Sequence, residues 1–165
     1  MFSEGEYVVY GLSGVCRIEK ITTLDMKDIP KDRKYYVLLP VNQDGKKYVP
    51  IDTGEEKMRK VITRTEAEEL LAKLQEIEPI KITNDRLAEK TYKNCFRCYD
   101  CIEWVRLIKC IYQRNQKRIT NGKRITSNDE KYMHMAEDAL YTELGIVLGI
   151  PKEQVLEYIM TRVEN

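Results

Sequence analysis

The start of the chain constrains the fold most strongly. A run of β-favouring residues from Tyr7 to Tyr10 meets a tight turn at Gly11-Leu12-Ser13-Gly14, and a second alternating apolar run begins at Val15. Two such runs around a short turn predict a β-hairpin that opens a small twisted barrel. Small barrels commonly bind a partner, so the hairpin points to a binding protein before it points to a reaction.

Strand signals continue to about residue 62. Residues 34–40 and 46–51 are rich in aromatic and β-branched side chains, and the Asp44-Gly45 turn between them is a strong hairpin signal. A last short strand is expected near residues 59–62. Five strands in so short a segment can bury only a small core, which predicts a small five-stranded barrel or a strongly bent sheet.

From Thr63 onwards the apolar spacing becomes that of helices. Thr65 followed by Glu68 suggests a capping box for a first helix, which the segment around Pro79 is expected to end. The predicted fold class is therefore α+β. We expect a β domain at residues 1–62, a helical connector at 63–80, and an all-α domain of about four to five helices in total at 81–165.

The helical part carries further boundary signals. Candidate caps are Asn84, Asp100 and Ser127, the last with Glu130 as a capping box, and Gly149 is expected to end the helix that begins near Ser127. The helix after Asp100 is expected to bury Trp104 and an apolar stripe made of Ile102, Val105, Ile108, Ile111 and Tyr112.

Charge is unevenly distributed although the net charge is only +1. Residues 81–125 carry 12 basic and 4 acidic side chains, whereas residues 63–80 and 126–165 are acidic. A local excess of this size can neutralise several phosphates and so favours nucleic-acid binding. A solvated helical face is the alternative reading of the same pattern.

Two groups of basic residues account for this excess. The first consists of Arg86, Lys90, Lys93 and Arg97, which recur every three or four residues and therefore share one helical face. The second lies at the end of the next helix and comprises Arg114, Lys117, Arg118, Lys123 and Arg124. Both groups are candidates for phosphate binding, although the second also complements the negative end of a helix dipole.

The cysteines superficially suggest a metal site. Cys95, Cys98 and Cys101 are closely spaced and Cys110 follows, but the spacing fits neither a zinc knuckle nor an iron-sulfur run, and His134 is the only histidine. We therefore expect buried reduced thiols and no metal or cofactor, with a metal or redox role as the alternative.

Several function classes lack support in the sequence. There is no P-loop, no GxGxxG motif and no nucleophile at a recognisable spacing from His134, so we do not expect an enzyme. No apolar run approaches the roughly 18 residues of a membrane span, and the acidic start lacks the features of a signal peptide. We expect a cytoplasmic protein.

The order and spacing of these features resemble the bacterial CarD/CdnL family, whose polymerase-interacting module is shared with the transcription-repair coupling factor. The resemblance begins in the barrel, with Gly5 to Tyr10, Gly14-Val15, Ile18-Glu19, Tyr36 to Leu38 and Val49-Pro50. It continues in the helices, with Val105 to Arg118, Asp129 to Tyr132 and Ala136 to Leu144.

The resemblance implies a transcription regulator without catalysis. In the family, a Tudor-like barrel binds the β subunit of RNA polymerase, and the helical domain contacts promoter DNA at the upstream edge of the melted bubble. An aromatic wedge in the minor groove there stabilises the open complex. The implied partners are RNA polymerase and promoter DNA, with no membrane, and the protein is expected to be a monomer.

The chain departs from the family at the wedge. Ungapped matching of the long helix places the family's wedge tryptophan at Asp85, while a nearby family lysine carries over as Lys90. The implied DNA-binding residues are then Arg86, Lys90, Lys93 and Arg97, and the implied polymerase-binding residues are Leu24, Met26, Lys47 and Tyr48. The missing wedge also favours an alternative, in which the protein is a polymerase or protein adaptor that does not bind DNA.

Overall fold

The computed structural model describes residues 1–164. The chain forms two compact units, Met1–Val61 and a second that begins at Ile62. The three-part division expected from the sequence, with a connector at residues 63–80, stays a prediction.

The first unit is a five-stranded antiparallel sheet. Its strands are β1 (Tyr7–Tyr10), β2 (Val15–Thr23), β3 (Lys34–Pro40), β4 (Lys47–Pro50) and β5 (Met58–Lys60). They lie side by side in the order β4-β3-β2-β1-β5, so β4 and β5 form the two edges of the sheet. The predicted strand count and the α+β class are confirmed, while closure of the sheet into a barrel stays a prediction.

The opening hairpin is present as expected. Val9 of β1 lies opposite Val15 of β2, and one 3₁₀ turn, Gly11–Ser13, connects the strands. The Tyr10 N–H donates to the Gly14 carbonyl over 3.0 Å. Gly14 has a φ of 70°, a left-handed conformation that strongly favours glycine. The geometry of this turn, with glycine at position 14, therefore helps to fix the register of β1 against β2.

Both faces of the sheet bury side chains. On one face, a core cluster is formed by Val8, Cys16, Ile18, Tyr36, Leu38, Val49 and Met58. On the other face, the buried residues are Val9, Val15, Tyr35 and Val37. The Tyr36 hydroxyl, at the margin of this core, accepts from the Phe2 N–H over 2.9 Å and donates to the Glu55 carboxylate. A short helix, α1 (Ile51–Gly54), follows β4 directly.

The second unit is helical. Its helices are α2 (Arg64–Ala72), α3 (Ala88–Phe96), α4 (Cys101–Thr120), α5 (Ser127–Leu148) and α6 (Val155–Glu164). Helix α5 packs against α2, α3, α4 and α6. It buries a side chain at every fourth position, namely Tyr132, Ala136, Leu140, Leu144 and Leu148. Within residues 1–164, no helix combines the length and the apolar character that crossing a membrane requires.

Several predicted helix boundaries are confirmed. The Asn84 carboxamide oxygen accepts from the Arg86 N–H over 3.0 Å, and the Asp100 carboxylate accepts from the Ile102 N–H over 2.7 Å. Gly149 ends α5 in a left-handed conformation. These three residues supply the capping geometry that their sequence positions predict.

Two predicted caps are wrong. Thr63, and not Thr65, caps α2, because its hydroxyl accepts from the Glu66 N–H over 3.0 Å while the Glu66 carboxylate accepts from the Thr63 N–H. Thr126, and not Ser127, caps α5 by accepting from the Asp129 N–H over 3.1 Å. Helix α2 also ends at Ala72, well before Pro79.

The predicted apolar stripe of α4 is wrong at two positions. Ile102 and Tyr112 are 49% and 57% exposed, whereas Leu107 and Cys110, which the stripe omitted, are buried. At 100° per residue Ile102 lies about 160° around the helix from Trp104, outside the buried arc. Trp104 itself is in the core as predicted, and its indole N–H donates to the Phe96 carbonyl over 3.1 Å.

Candidate functional site

The edge strand β4 presents the first candidate surface. Lys47 and Tyr48 lie next to each other on this strand, opposite Leu38 and Val37 of β3. Both side chains are exposed, Tyr48 to 49%. Among residues 1–164, no strand of the sheet lies on the side of β4 that faces away from β3. Backbone groups along such an edge can pair with a strand of another chain.

The other two candidate polymerase-binding residues lie elsewhere in this unit. Leu24 and Met26 follow the end of β2, in the connection to β3, where Leu24 is half-buried and Met26 is 60% exposed. Thr23, which precedes Leu24, pairs with Lys34 of β3, whereas Tyr48 pairs with Val37 of the same strand. Lys34 and Val37 are three residues apart, which corresponds to about 10 Å along β3. The four candidate residues thus lie at two separate places in the sheet. Their role in polymerase binding stays a prediction.

The candidate DNA-binding residues share one exposed face of the second unit. Arg86 lies in a 3₁₀ turn, Asp85–Leu87, that leads into α3; Lys90 and Lys93 lie on α3, and Arg97 caps its end. All four side chains are exposed. The opposite side of α3 buries Ala88, Tyr92, Cys95 and Phe96. We call Arg86, Lys90, Lys93 and Arg97 the basic face.

The basic face carries positive charge that is not balanced locally. Within the described chain, none of its four cations forms an ion pair, although several other lysines and arginines of the protein do. Exposed lysine and arginine side chains in such a row can contact successive phosphates of a nucleic-acid backbone. The geometry is therefore compatible with the predicted role, which stays a prediction.

Asp85, at the position where the resemblance places the wedge, has a structural partner. Its carboxylate accepts from the Arg114 guanidinium of α4 over 2.9 Å. Arg114 also lies 3.4 Å from the Asp129 carboxylate, whose other oxygen accepts from the Tyr92 hydroxyl over 2.9 Å. The Arg114 hydrogen bond, with further attraction from Arg118 and Lys117, holds the pKa of Asp85 below its usual value. Asp85 thus stays ionised and anchors the 3₁₀ turn to α4.

One residue that the sequence reading passed over stands beside the basic face. Leu87 is 53% exposed at the end of the same 3₁₀ turn as Arg86. The sequence alone indicates that Leu87 is exposed, because helical spacing places it away from the buried positions Ala88 and Tyr92. It is an apolar side chain close in sequence to these cations, two residues after the position where the resemblance places the aromatic wedge.

The second basic group lies at the carboxyl end of α4. Lys117 and Arg118 occupy the last turn, and Lys123 follows the helix. The N–H groups of Asn121, Gly122 and Lys123 donate to the helix-end carbonyls of Lys117, Arg118 and Ile119. Those carbonyls are thereby satisfied without help from the basic side chains.

The cysteines do not come together as metal ligands in the described part of the chain, which contains no cluster of three or more metal-binding side chains. Cys95, Cys101 and Cys110 are buried and Cys98 is exposed. The Cys95 thiol donates to the Glu103 carbonyl over 3.2 Å, and burial together with the nearby Glu103 carboxylate raises its pKa to about 12. Such a thiol is a poor nucleophile and a poor metal ligand at neutral pH.

Comparison with known proteins gives one result for the first unit. Residues 2–62 match the family model described as the CarD-like/TRCF RID domain. The matched segment covers all five strands of the sheet. Comparison of the whole chain with curated proteins gives no significant match.

Proposed function

We propose, from the match of residues 2–62 to the CarD-like/TRCF RID domain, that the protein is a non-enzymatic bacterial transcription regulator. In this proposal the first unit binds the β subunit of RNA polymerase, and the helical unit contacts upstream promoter DNA and changes the stability of the open complex. The family match carries the polymerase contact, and the DNA contact rests on the charge of the helical unit. A protein of this kind would act in the cytoplasm, where polymerase and DNA are found.

The edge strand supports the polymerase contact. An exposed strand edge can recruit a strand of a partner through main-chain hydrogen bonds, while neighbouring side chains provide specificity. Tyr48 suits such an interface because tyrosine supplies a large contact area and a polar tip. Lys47, beside it, offers a cation that can pair with an acidic group of the polymerase.

The polymerase contact is tested with the full chain. We expect Lys47→Glu/Tyr48→Ala to weaken co-purification with the β subunit by at least about tenfold, because both side chains would be central to the interface. Lys57→Glu is the matched control, since Lys57 is also exposed but precedes the opposite edge strand, β5. Equal binding of the double variant and the control would overturn this assignment.

The basic face supports the DNA contact. Its four cations are exposed and unpaired within the described chain, so counterion release from DNA phosphates would drive binding. Tethering to polymerase would raise the local concentration of this weak DNA-binding surface at the promoter. Asp85, held by Arg114, cannot act as a wedge, and Leu87 is the apolar side chain placed nearest to do so.

The DNA contact is tested by the lifetime of the promoter open complex. We expect Lys90→Glu/Lys93→Glu to shorten that lifetime about tenfold or more while polymerase binding is kept, because two phosphate contacts become repulsive. The matched control is Lys57→Glu/Lys73→Glu, which makes the same charge change at two other exposed lysines.

A second candidate function has one observation in its favour. Because Asp85 replaces the wedge, the helical unit could recruit another protein to polymerase instead of contacting DNA. An unchanged open-complex lifetime in the Lys90→Glu/Lys93→Glu variant, together with duplex binding that does not respond to salt, would establish this adaptor role in place of the DNA contact.

A further inference from the structure

The carboxyl end of α4 forms one wall of an open cleft of about 720 Å³. The segment from Pro79 to Thr83 forms another wall, and the 3₁₀ turn contributes Asp85. The cleft lies wholly within the second unit. Its size is in the range of sites that hold small molecules such as nucleotides.

The charged side chains that line this cleft are mostly basic. They are Lys81, Arg114, Lys117, Arg118 and Lys123, against the single carboxylate of Asp85. Within the described residues, Arg114 is the only one of the five cations that forms an ion pair. The cleft brings together positive charge from two separate segments of the chain. A solvated helical face would place such charges on one helix only.

An anion already occupies part of the cleft. The Asp85 carboxylate is 78% exposed, bonded to Arg114, and near enough to Arg118 and Lys117 for both cations to favour its ionised form. The cleft therefore stabilises a negative charge at this position. One carboxylate balances at most one of the five cations, and Lys81, Lys117, Arg118 and Lys123 form no ion pair among the described residues.

A role at the helix end does not account for these cations. The final carbonyls of α4 accept from backbone N–H groups, so the basic side chains are not needed as hydrogen-bond donors there. The helix dipole attracts exposed cations only weakly, and the attraction falls off within the last turn. That attraction does not explain Lys81, which comes from a different segment.

We propose that this cleft binds linked phosphate groups, such as the diphosphate or triphosphate chain of a soluble nucleotide, with Asp85 as an internal counter-ion that limits the affinity. Several adjacent cations suit a multivalent anion better than a single phosphate, because each added phosphate gains a further charge-assisted contact. Lys117, Arg118 and Lys123 contact the phosphates, and Arg114 positions Asp85. Duplex DNA carries the same phosphate chemistry and is the other source of such a ligand.

The proposal is tested by calorimetric titration of the full chain with sodium tripolyphosphate at constant ionic strength. We expect Lys117→Gln/Arg118→Gln to bind about tenfold more weakly or worse, since two charge-assisted contacts are lost. Lys90→Gln/Lys93→Gln makes the same charge change on the basic face and should bind within about twofold of the parent protein.

Asp85→Asn provides a readout of opposite sign. Removing the internal carboxylate should tighten tripolyphosphate binding about threefold or more, because one repulsive charge leaves the cleft. A variant that only damaged the fold would bind more weakly, so tighter binding cannot come from misfolding. Equal losses in the two double variants, or no binding by the parent protein, would overturn the proposal.

A short DNA duplex added as competitor identifies the source of the phosphates. If the duplex displaces tripolyphosphate, the natural ligand of the cleft is the phosphate backbone of DNA. If tripolyphosphate stays bound, the natural ligand is a soluble molecule. Neither polymerase nor a promoter is present in the titration, so its failure would leave the proposed function standing.

Discussion

Asp129 is 2% exposed and is held by groups from two other helices. One carboxylate oxygen accepts from Tyr92 of α3, and the other lies near the guanidinium of Arg114 in α4. A buried charge is tolerated only when hydrogen bonds and an opposite charge replace its hydration. The packing of α3, α4 and α5 against one another therefore depends on this carboxylate.

Neutralising this residue should destabilise the helical unit. We expect Asp129→Asn to lower the free energy of unfolding by about 2 kcal/mol, because the change weakens the bond from Tyr92 and leaves Arg114 without its inner partner. Glu130→Gln, at the exposed neighbouring position, should change stability by less than about 0.5 kcal/mol. Urea unfolding followed by circular dichroism measures both, and equal midpoints would contradict the role assigned to Asp129.

The cysteines give a second prediction at the scale of single residues. Burial raises the pKa of the Cys16 thiol to about 11 and that of Cys95 to about 12, so both remain protonated at pH 8. Cys98 is exposed and free. We expect iodoacetamide at pH 8 to add one carbamidomethyl group to the folded protein, on Cys98, and five after denaturation in guanidinium. Rapid labelling of Cys95 in the folded state, detected by peptide mass spectrometry, would contradict this account.

Among the elements, the sequence predicts strand and helix identity better than their ends. Adjacent hydroxyl residues compete for one cap, as at Thr126 and Ser127, and spacing alone does not choose between them. The pairing of Asp85 with Arg114 joins residues 29 positions apart, so no local pattern indicates it. Similarly, the burial of Leu107 in α4 depends on tertiary packing. The basic face is visible in the sequence because periodicity alone defines it.

Helix α1 supports the edge strand β4 through a glycine. A Cβ added at Gly54 would lie 2.1 Å from Cγ1 of Val49, a buried residue of β4. We expect Gly54→Ala to lower the free energy of unfolding of the first unit by about 1–3 kcal/mol, because Val49 must move within a packed core. Polymerase binding should weaken as β4 shifts.

The matched control for this change is Thr53→Ala, on the exposed side of the same helix, where only a hydrogen bond from Arg33 is lost. Its thermal midpoint should stay within about 2 °C of the parent protein. If Gly54→Ala melts at the same temperature as Thr53→Ala, α1 does not constrain the strand in the way proposed.

At the scale of the whole molecule, the two proposed interactions belong to segments that differ in charge. Residues 1–62 carry 11 basic and 10 acidic side chains, whereas residues 81–125 carry 12 basic and 4 acidic ones. A near-neutral surface suits a protein partner because it avoids long-range repulsion, and a positive one suits phosphates. The two proposed interactions should therefore respond differently to ionic strength.

Salt dependence makes this division measurable. If the four cations of the basic face each neutralise one phosphate, the logarithm of duplex affinity should fall with the logarithm of salt concentration with a slope of about −3.6. Lys90→Gln/Lys93→Gln should reduce the slope to about −1.8. Fluorescence anisotropy with a labelled duplex measures both slopes, and polymerase binding should weaken much less over the same range. Identical slopes for the parent and the variant would place the phosphate contacts elsewhere.

The open side of β4 also bears on how the protein behaves alone. A strand edge without a neighbour can pair with a second copy of the same chain, and such pairing leads to self-association. Two features of β4 oppose it: Lys47 carries a charge that two copies would bring together, and Pro50 has no N–H to donate. The same lysine that is proposed to recognise polymerase would then help to keep the free protein soluble, so its neutral variants would sacrifice colloidal stability as well as binding.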